Sequence, residues 1–153
     1  MATPSFSCPA RFGADLCGIS TTKHVDGQGR MLGGMICGSK DLIRGPIESY
    51  MKHTGGAMNP FTAWMQLKSL DTLDLRVRAQ SAGALQIAQA LEAHPKLSAV
   101  RYPPVPSHPQ HAVALQQAES GGTVISFHVA GREQARSKTL NAVDGFVERR
   151  KPD

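Results

Sequence analysis

Lys23 is approached by two hydroxyl side chains, Ser20 and Thr22, and left through a glycine-rich exit, in the segment Ile19-Ser20-Thr21-Thr22-Lys23-His24-Val25-Asp26-Gly27-Gln28-Gly29-Arg30. A lysine amine condenses with an aldehyde to form a Schiff base, and hydroxyls one and three residues earlier can donate to a phosphate. These residue types at this spacing read as a seat for a phosphate-bearing aldehyde cofactor. On S-x-T-K alone, a polar turn with a surface lysine is the commoner outcome, because the pattern is short and its residues are common.

Other constellations carry less. Gly27-Gln28-Gly29-Arg30-Met31-Leu32-Gly33-Gly34 has Leu32 where a dinucleotide-binding G-x-G-x-x-G needs its third glycine, and it lacks the G-K-[ST] of a P-loop. Close backbone packing behind the lysine is the better reading. His108-x-x-His111 has metal-ligand spacing, but it lies in a proline-rich stretch without a third ligand nearby, so it reads as a surface loop and no metal is expected. His128 reads as a packed or rim histidine. Phe61 and Trp64 read as core.

The elements that must position Lys23 follow from pattern. Ala14 to Ile19 is short and apolar and reads as a buried strand; Met31 to Cys37, with Gly33 and Gly34 inside, reads as a second. Lys40 to His53 reads as a helix ending at Gly55-Gly56. Asn59 is a good N-cap and Pro60 suits the first helical position, so another helix begins there. A long helix around Leu73 to Ala93 carries Leu75, Ala82, Leu85, Ala88 and Leu91 on one stripe, and His94-Pro95 ends it. Leu97 to Tyr102 reads as a strand, His111 to Ala118 as a helix, Thr123 to Val129 as a strand and Gly131 to Val143 as a last, weakly amphipathic helix. Strands alternating with helices imply an α/β class.

Composition narrows the setting. The 153 residues suffice for one ordinary domain or for pieces of two. The formal charge of +5 is scattered, apart from Arg149-Arg150-Lys151, which suits an enzyme handling phosphate and carboxylate groups better than a nucleic-acid interface. No apolar run approaches the ~20 residues of a membrane span, and the first residues do not form a secretory signal. Three cysteines without a CxxC pair suggest reduced thiols and a cytoplasmic protein.

Several separated stretches resemble, in order, the Cys/Met-metabolism family of pyridoxal-phosphate (PLP) enzymes. Phe12-Gly13-Ala14-Asp15-Leu16 resembles its L-G-A-D-hydrophobic strand, and Ser20-Thr21-Thr22-Lys23 its S-[AT]-T-K. Asn59-Pro60-Phe61-Thr62-Ala63-Trp64 is similar to S-P-F-N-A-W, and Leu70-Asp71-Thr72-Leu73-Asp74-Leu75-Arg76 to G-L-E-T-L-x-L-R. Tyr102-Pro103 with Ser107-His108-Pro109-Gln110-His111 is similar to Y-P-G-L…S-H-P-Q-H, and Gly121 to Phe127 to the G-G-x-[ILV]-x-[SA]-F strand. Asp26-Gly27-Gln28-Gly29-Arg30 is the form favoured by the O-succinylhomoserine sulfhydrylase branch.

The resemblance implies Lys23 as the Schiff-base lysine and proton shuttle, Ser20 and Thr22 as phosphate ligands, and PLP as cofactor. It implies the C-terminal part of a PLP-dependent transferase large domain over residues 1–74, with a mostly parallel sheet in the complete fold, and a partial small α/β domain over 75–153. It also implies a homo-oligomer, a tetramer in the family, and a small amino-acid substrate. The implied reaction is γ-replacement on O-succinylhomoserine by sulfide or a thiol; cystathionine γ-synthase-like and methionine γ-lyase-like chemistry stay open. The family's pyridine-nitrogen aspartate, in D-N-x-x-[AC]-T-P, falls before Met1-Ala2-Thr3-Pro4, and its substrate-carboxylate arginine lies beyond the point near Val143 where similarity ends. The chain is therefore expected to be an internal fragment, inactive alone, with apolar faces exposed around Leu16 and Ile36. A non-catalytic remnant, or an assembly partner of an intact homologue, is the alternative.

Overall fold

A computed structural model describes residues 3–130 and residue 139. It holds two separate two-stranded antiparallel sheets, with helices before, between and after their strands. Strand β1 (Leu16–Ser20) pairs with β2 (Gly34–Gly38) in an unbroken register from Leu16↔Gly38 to Ser20↔Gly34. Strand β3 (Leu97–Arg101) pairs with β4 (Ser126–Val129), with a register shift between Leu97 and Ala99. Both strand pairs of the described residues are thus antiparallel; the parallel strands that the resemblance attaches to the complete fold are not among them.

The helical run expected over residues 40–53 is present but broken in the middle. Helix α1 (Lys40–Leu42) starts at Ser39, whose hydroxyl accepts the Leu42 N–H, and passes through a wide turn, Ile43–Ile47, into α2 (Glu48–Thr54). Pro46 lies inside that turn; it has no N–H to give an i−4 carbonyl, and the wider winding accommodates it. Gly55 closes α2 in the left-handed conformation, at φ 73°. Helix α3 (Pro60–Leu70) begins as expected, with Asn59 Oδ1 accepting the Thr62 N–H at 2.9 Å and Pro60 at the first position.

Helix α4 (Leu73–Glu92) connects two small cores. At one end Leu73 and Val77 pack with Phe6 and Val25, and Ile19 and Met35 come against them from the inner face of the β1–β2 sheet. At the other end Ala84 and Ala88 pack with Tyr102 and Val105. The buried stripe is therefore Leu73, Val77, Ser81, Ala84 and Ala88. The expected stripe shares Ala88 with it, has Leu85 and Leu91 at its half-buried margin, and misplaces Leu75, which is 74% exposed. Two of the buried positions are small, Ser81 and Ala84, so hydropathy alone does not mark them.

Two burial expectations are corrected. Phe61 and Trp64 are not core: they are 63% and 54% exposed and lean on each other at 6.1 Å, while α3 buries Thr62, Gln66 and Ser69. Strand β1 is not buried throughout, because only one face of its sheet meets α4, leaving Leu16 and Ile36 exposed. His128, expected as a packed or rim histidine, is exposed, in keeping with the rim alternative. The expected helix over 131–143 lies outside the described residues, Thr139 apart. Helix α5 (His111–Gln117) follows the proline-rich loop, where His108 Nδ1 accepts the Gln110 N–H and His111 Nδ1 lies 3.0 Å from the Pro103 carbonyl.

The second core closes on Tyr102. Its fully buried hydroxyl bonds the Gly122 carbonyl at 2.8 Å and the Ser81 carbonyl at 3.3 Å, and Ser81 Oγ bonds Ser120 Oγ. Gly121 must lack a Cβ here, since one would fall on the Pro104 ring. Replacing Tyr102 with Phe strands the Gly122 carbonyl, and a loss of about 1–3 kcal/mol is expected. A urea denaturation series checks it; an unchanged midpoint would show that the hydroxyl contributes nothing.

Candidate functional site

Lys23 sits where β1 ends and one wide helical turn, Thr21–Val25, begins. The Asp26 N–H bonds the Thr21 carbonyl at 2.9 Å, and the Gly27 N–H bonds the Lys23 carbonyl at 2.8 Å. Lys23 itself departs from helical geometry, at φ −89° and ψ −112°. The turn is therefore closed around the lysine and irregular at it, and the lysine side chain stays exposed.

The segment that follows closes on itself. Asp26, 1% exposed, accepts the Arg30 N–H at 2.7 Å and the Gln28 N–H at 3.3 Å, and Arg30 Nε bonds its other oxygen at 3.1 Å. Gly27 and Gly29 both take positive φ, near 70°, which glycine adopts without cost. Burial, the largest influence on Asp26, pushes its carboxyl up; the Arg30 backbone and side-chain bonds, with the Gln28 N–H, outweigh it and hold the carboxyl below its ordinary value. Arg30 also donates to Ser69 Oγ at 2.8 Å, tying this loop to α3. The D-G-Q-G-R stretch is thus a loop-closing device.

Arg76 is the part that reading for chemistry missed. From α4 its guanidinium donates to the carbonyls of His24, Val25 and Ser69, each at 3.0 Å, and its Nε bonds Thr72 Oγ1. A Cβ on Gly27 would lie 2.0 Å from Arg76 Nη1, so the loop comes this close only because residue 27 is glycine. His24 adds a second tether, with Nε2 2.8 Å from Thr123 Oγ1. Burial foremost, with the positive charge of Arg76 among its neighbours, holds the His24 imidazole below its ordinary value. The available signal for Arg76 was its place in the L-x-L-R-like stretch.

The structure brings two of the three expected site residues together. Ser20 and Lys23 line one cavity of about 840 Å³, shared with Thr3, Asp15, Ser39 and the thiols of Cys17 and Cys37. Thr22 does not line it: its hydroxyl accepts the Gly33 N–H at 2.9 Å and donates to the Gly33 carbonyl at 3.3 Å, tying the Lys23 turn to the start of β2. Thr3 Oγ1, on the cavity wall, is buried without a hydrogen-bond partner. The cavity thus offers an amine and a free hydroxyl, with an unpartnered hydroxyl buried behind its wall, and its size is that of a small-molecule site. Those donors fit a phosphate-bearing aldehyde. Among the described residues no group of three or more His, Cys, Asp and Glu side chains could hold a metal, and no helix is long and apolar enough to cross a membrane.

An amine-bearing turn at the end of a strand, opening on a cavity of this size in an α/β chain, defines a cofactor-binding enzyme class. The sequence matches the family described as Cys/Met metabolism PLP-dependent enzyme over residues 1–148, and the chain belongs to that family. It is 48% identical over 144 residues to an O-succinylhomoserine sulfhydrylase of Mycobacterium tuberculosis, an alignment covering 94% of this chain and 36% of that protein. It is 39% identical over 140 residues to an O-succinylhomoserine sulfhydrylase of Pseudomonas aeruginosa, covering 92% and 34%. Among solved structures, cystathionine gamma synthase from Xanthomonas oryzae pv. oryzae superposes with a TM-score of 0.92 at 30% identity, covering 97% of this chain and 38% of that one. CalE6 from Micromonospora echinospora does so with a TM-score of 0.88 at 32% identity, covering 95% and 38%. The chain therefore spans about a third of the length of the curated relatives it matches.

The Asp26 tether makes the loop pH-sensitive. Asp26 has a lowered folded-state value, so its contribution is complete above the ordinary carboxyl value of 3.8 and is lost as pH falls below it. Wild-type stability should decline over that window, and Asp26→Asn should flatten the decline while lowering stability at pH 7; parallel pH profiles for the two proteins would refute the assignment. Arg76→Met keeps the stem and removes the donors, and should cost about 1.5–3 kcal/mol, read from denaturant midpoints.

Proposed function

We propose that this chain carries the lysine-bearing part of a PLP-dependent enzyme that performs γ-replacement on O-succinylhomoserine, with sulfide or a thiol taking the place of succinate at Cγ. The observation that carries this reading is the meeting of Lys23 and Ser20 on one cavity wall, in a chain 48% identical to an O-succinylhomoserine sulfhydrylase. That identity exceeds the 39% to a cystathionine gamma-synthase of Arabidopsis thaliana, which favours the sulfhydrylase reading over its relatives.

Bound PLP supplies an electron sink for reactions at the carbons of an amino acid. Lys23 holds the cofactor through its amine and later moves protons at Cα and Cβ of the substrate. Ser20 donates its hydroxyl to the phosphate. Thr22 keeps the acceptor bond from the Gly33 N–H and gives up its longer bond to the Gly33 carbonyl when it donates to the phosphate instead. Residues 1–74 form the C-terminal part of the cofactor-binding large domain and 75–153 part of the small domain; the two cores strung along α4 support two units. A homo-oligomer, tetrameric as in the family, and a cytoplasmic setting complete the reading, the latter supported by the three free cysteines.

Incubation with PLP, borohydride reduction and peptide mapping should place the label on Lys23; even labelling of Lys40, Lys52, Lys68 and Lys96 would argue against a formed seat. Ser20→Ala with Thr22→Ala should weaken PLP retention by about ten- to a hundred-fold for each of the two charge-assisted hydrogen bonds lost, and unchanged affinity would remove the phosphate role. Residues 1–153 alone should form negligible homocysteine from O-succinylhomoserine and sulfide, because neither a ring-nitrogen aspartate nor a substrate-carboxylate arginine has a counterpart in the chain, and electrostatic stabilisation is usually the largest catalytic contribution. Robust, Lys23-dependent turnover would overturn that expectation.

A further inference from the structure

Cys17 and Cys37 face each other directly across the β1–β2 ladder. Directly opposed residues of an antiparallel pair have Cα atoms about 4.5–5.5 Å apart and side chains on the same face. That separation lies within the range of about 4.4–6.8 Å that a disulfide spans. Both residues are free thiols, and both line the cavity that Lys23 and Ser20 share. Cys37 is exposed and Cys17 is half-buried, so one thiol is open to a reagent and the other stands beside it. Cys8 also borders the cavity but comes from the segment before β1 and has no partner in the ladder.

We propose that Cys17 and Cys37 form a redox-responsive dithiol, a modification site that closes to a cross-strand disulfide when it meets a small-molecule disulfide. The Cys37 thiolate attacks one sulfur of the incoming disulfide; a Cys37 mixed disulfide forms, the reagent's S–S bond breaks and one reagent thiolate leaves. The Cys17 thiolate then attacks Cys37 Sγ, expelling the second reagent thiolate and forming the Cys17–Cys37 bond. Two protein thiols are oxidised, one reagent disulfide is reduced to two thiols, and the two protein protons pass to the departing thiolates. The new bond staples together the two strands whose ends carry the Lys23 turn, with the whole 21–33 segment inside the closed loop. An exposed disulfide of this kind is readily reduced again, which makes the change reversible.

The test is peptide mapping of the 1–153 chain after exposure to oxidised glutathione and alkylation of remaining thiols. In the folded protein the Cys17–Cys37 linkage should exceed either linkage to Cys8 by at least about tenfold, since the ladder holds only this pair at high effective concentration. Cys17→Ser should stop at one glutathione on Cys37. In urea the preference should disappear in favour of Cys8–Cys17, nine residues apart against twenty for Cys17–Cys37, because shorter loops close at lower entropic cost. Equal linkage to Cys8 in the folded protein, or separate glutathiones on Cys17 and Cys37 without a cross-link, would overturn the proposal. The wild-type map decides this even if the serine variant does not fold.

Discussion

The Arg76 guanidinium, bonded to the carbonyls of His24, Val25 and Ser69, is the contact on which the rest of the site depends. A turn irregular at Lys23 leaves carbonyls that no helix or ladder satisfies, and half-buried carbonyls without partners are costly. A planar fork of fixed donors meets several of them at once, which a lysine at position 76 would not do. The same contact sets the distance between α4 and the loop, and that distance excludes any side chain at Gly27. Val25, next to the clamped carbonyls, then falls into the core formed by Leu73, Val77 and Phe6. The position of Lys23 is thus held from behind by Arg76, which does not line its cavity, acting through the carbonyls of His24 and Val25, which do line it.

This arrangement separates two kinds of hydroxyl in one short motif. Ser20 ends β1 on the cavity side, whereas Thr22 is drawn into a two-way exchange with the Gly33 backbone. A Cβ at Gly33 would press on the ends of the Gln66 and Met58 side chains and on Thr21 Oγ1, so the glycine lets the chain return beneath the turn without displacing them. The glycine run that fails as a nucleotide loop has a structural use at three of its positions: Gly27 under Arg76, Gly29 in the Asp26-capped loop, and Gly33 beneath Thr21 and Thr22.

Much of this was legible in the sequence, for reasons that differ by element. Helix α3 was legible because Asn59 and Pro60 announce its start through backbone chemistry alone. Lys23 and Ser20 could be singled out as candidates because chemistry restricts which residues can hold such a cofactor, and the structure places both on one cavity wall. The exposed Phe61 and Trp64 were not: helical spacing shows which residues share a face, not what the face meets. The buried side of α3 is polar, with Ser69 bonded to Arg30, Thr62 capped by Asn59 and set against Met31, and Gln66 beside Gly33. Leu75 misled for the same reason, since the stripe that packs on α4 runs through Ser81 and Ala84, where close approach matters more than hydropathy.

The D-G-Q-G-R stretch bears on specificity in a way its distinctiveness conceals. It singles out one branch of the family by resemblance, yet its carboxylate is spent on backbone N–H groups and on Arg30, and Arg30 is spent on Asp26 and Ser69. None of Asp26 to Arg30 lines the cavity. A branch marker that closes a loop discriminates between ways of holding the turn, not between sulfur donors. In the proposed reaction, discrimination among incoming nucleophiles has to come from side chains that touch the cavity, and among the described residues those come from the segment before β1, from β1 and the Lys23 turn, from the end of β2, and from Ser39 and Leu42.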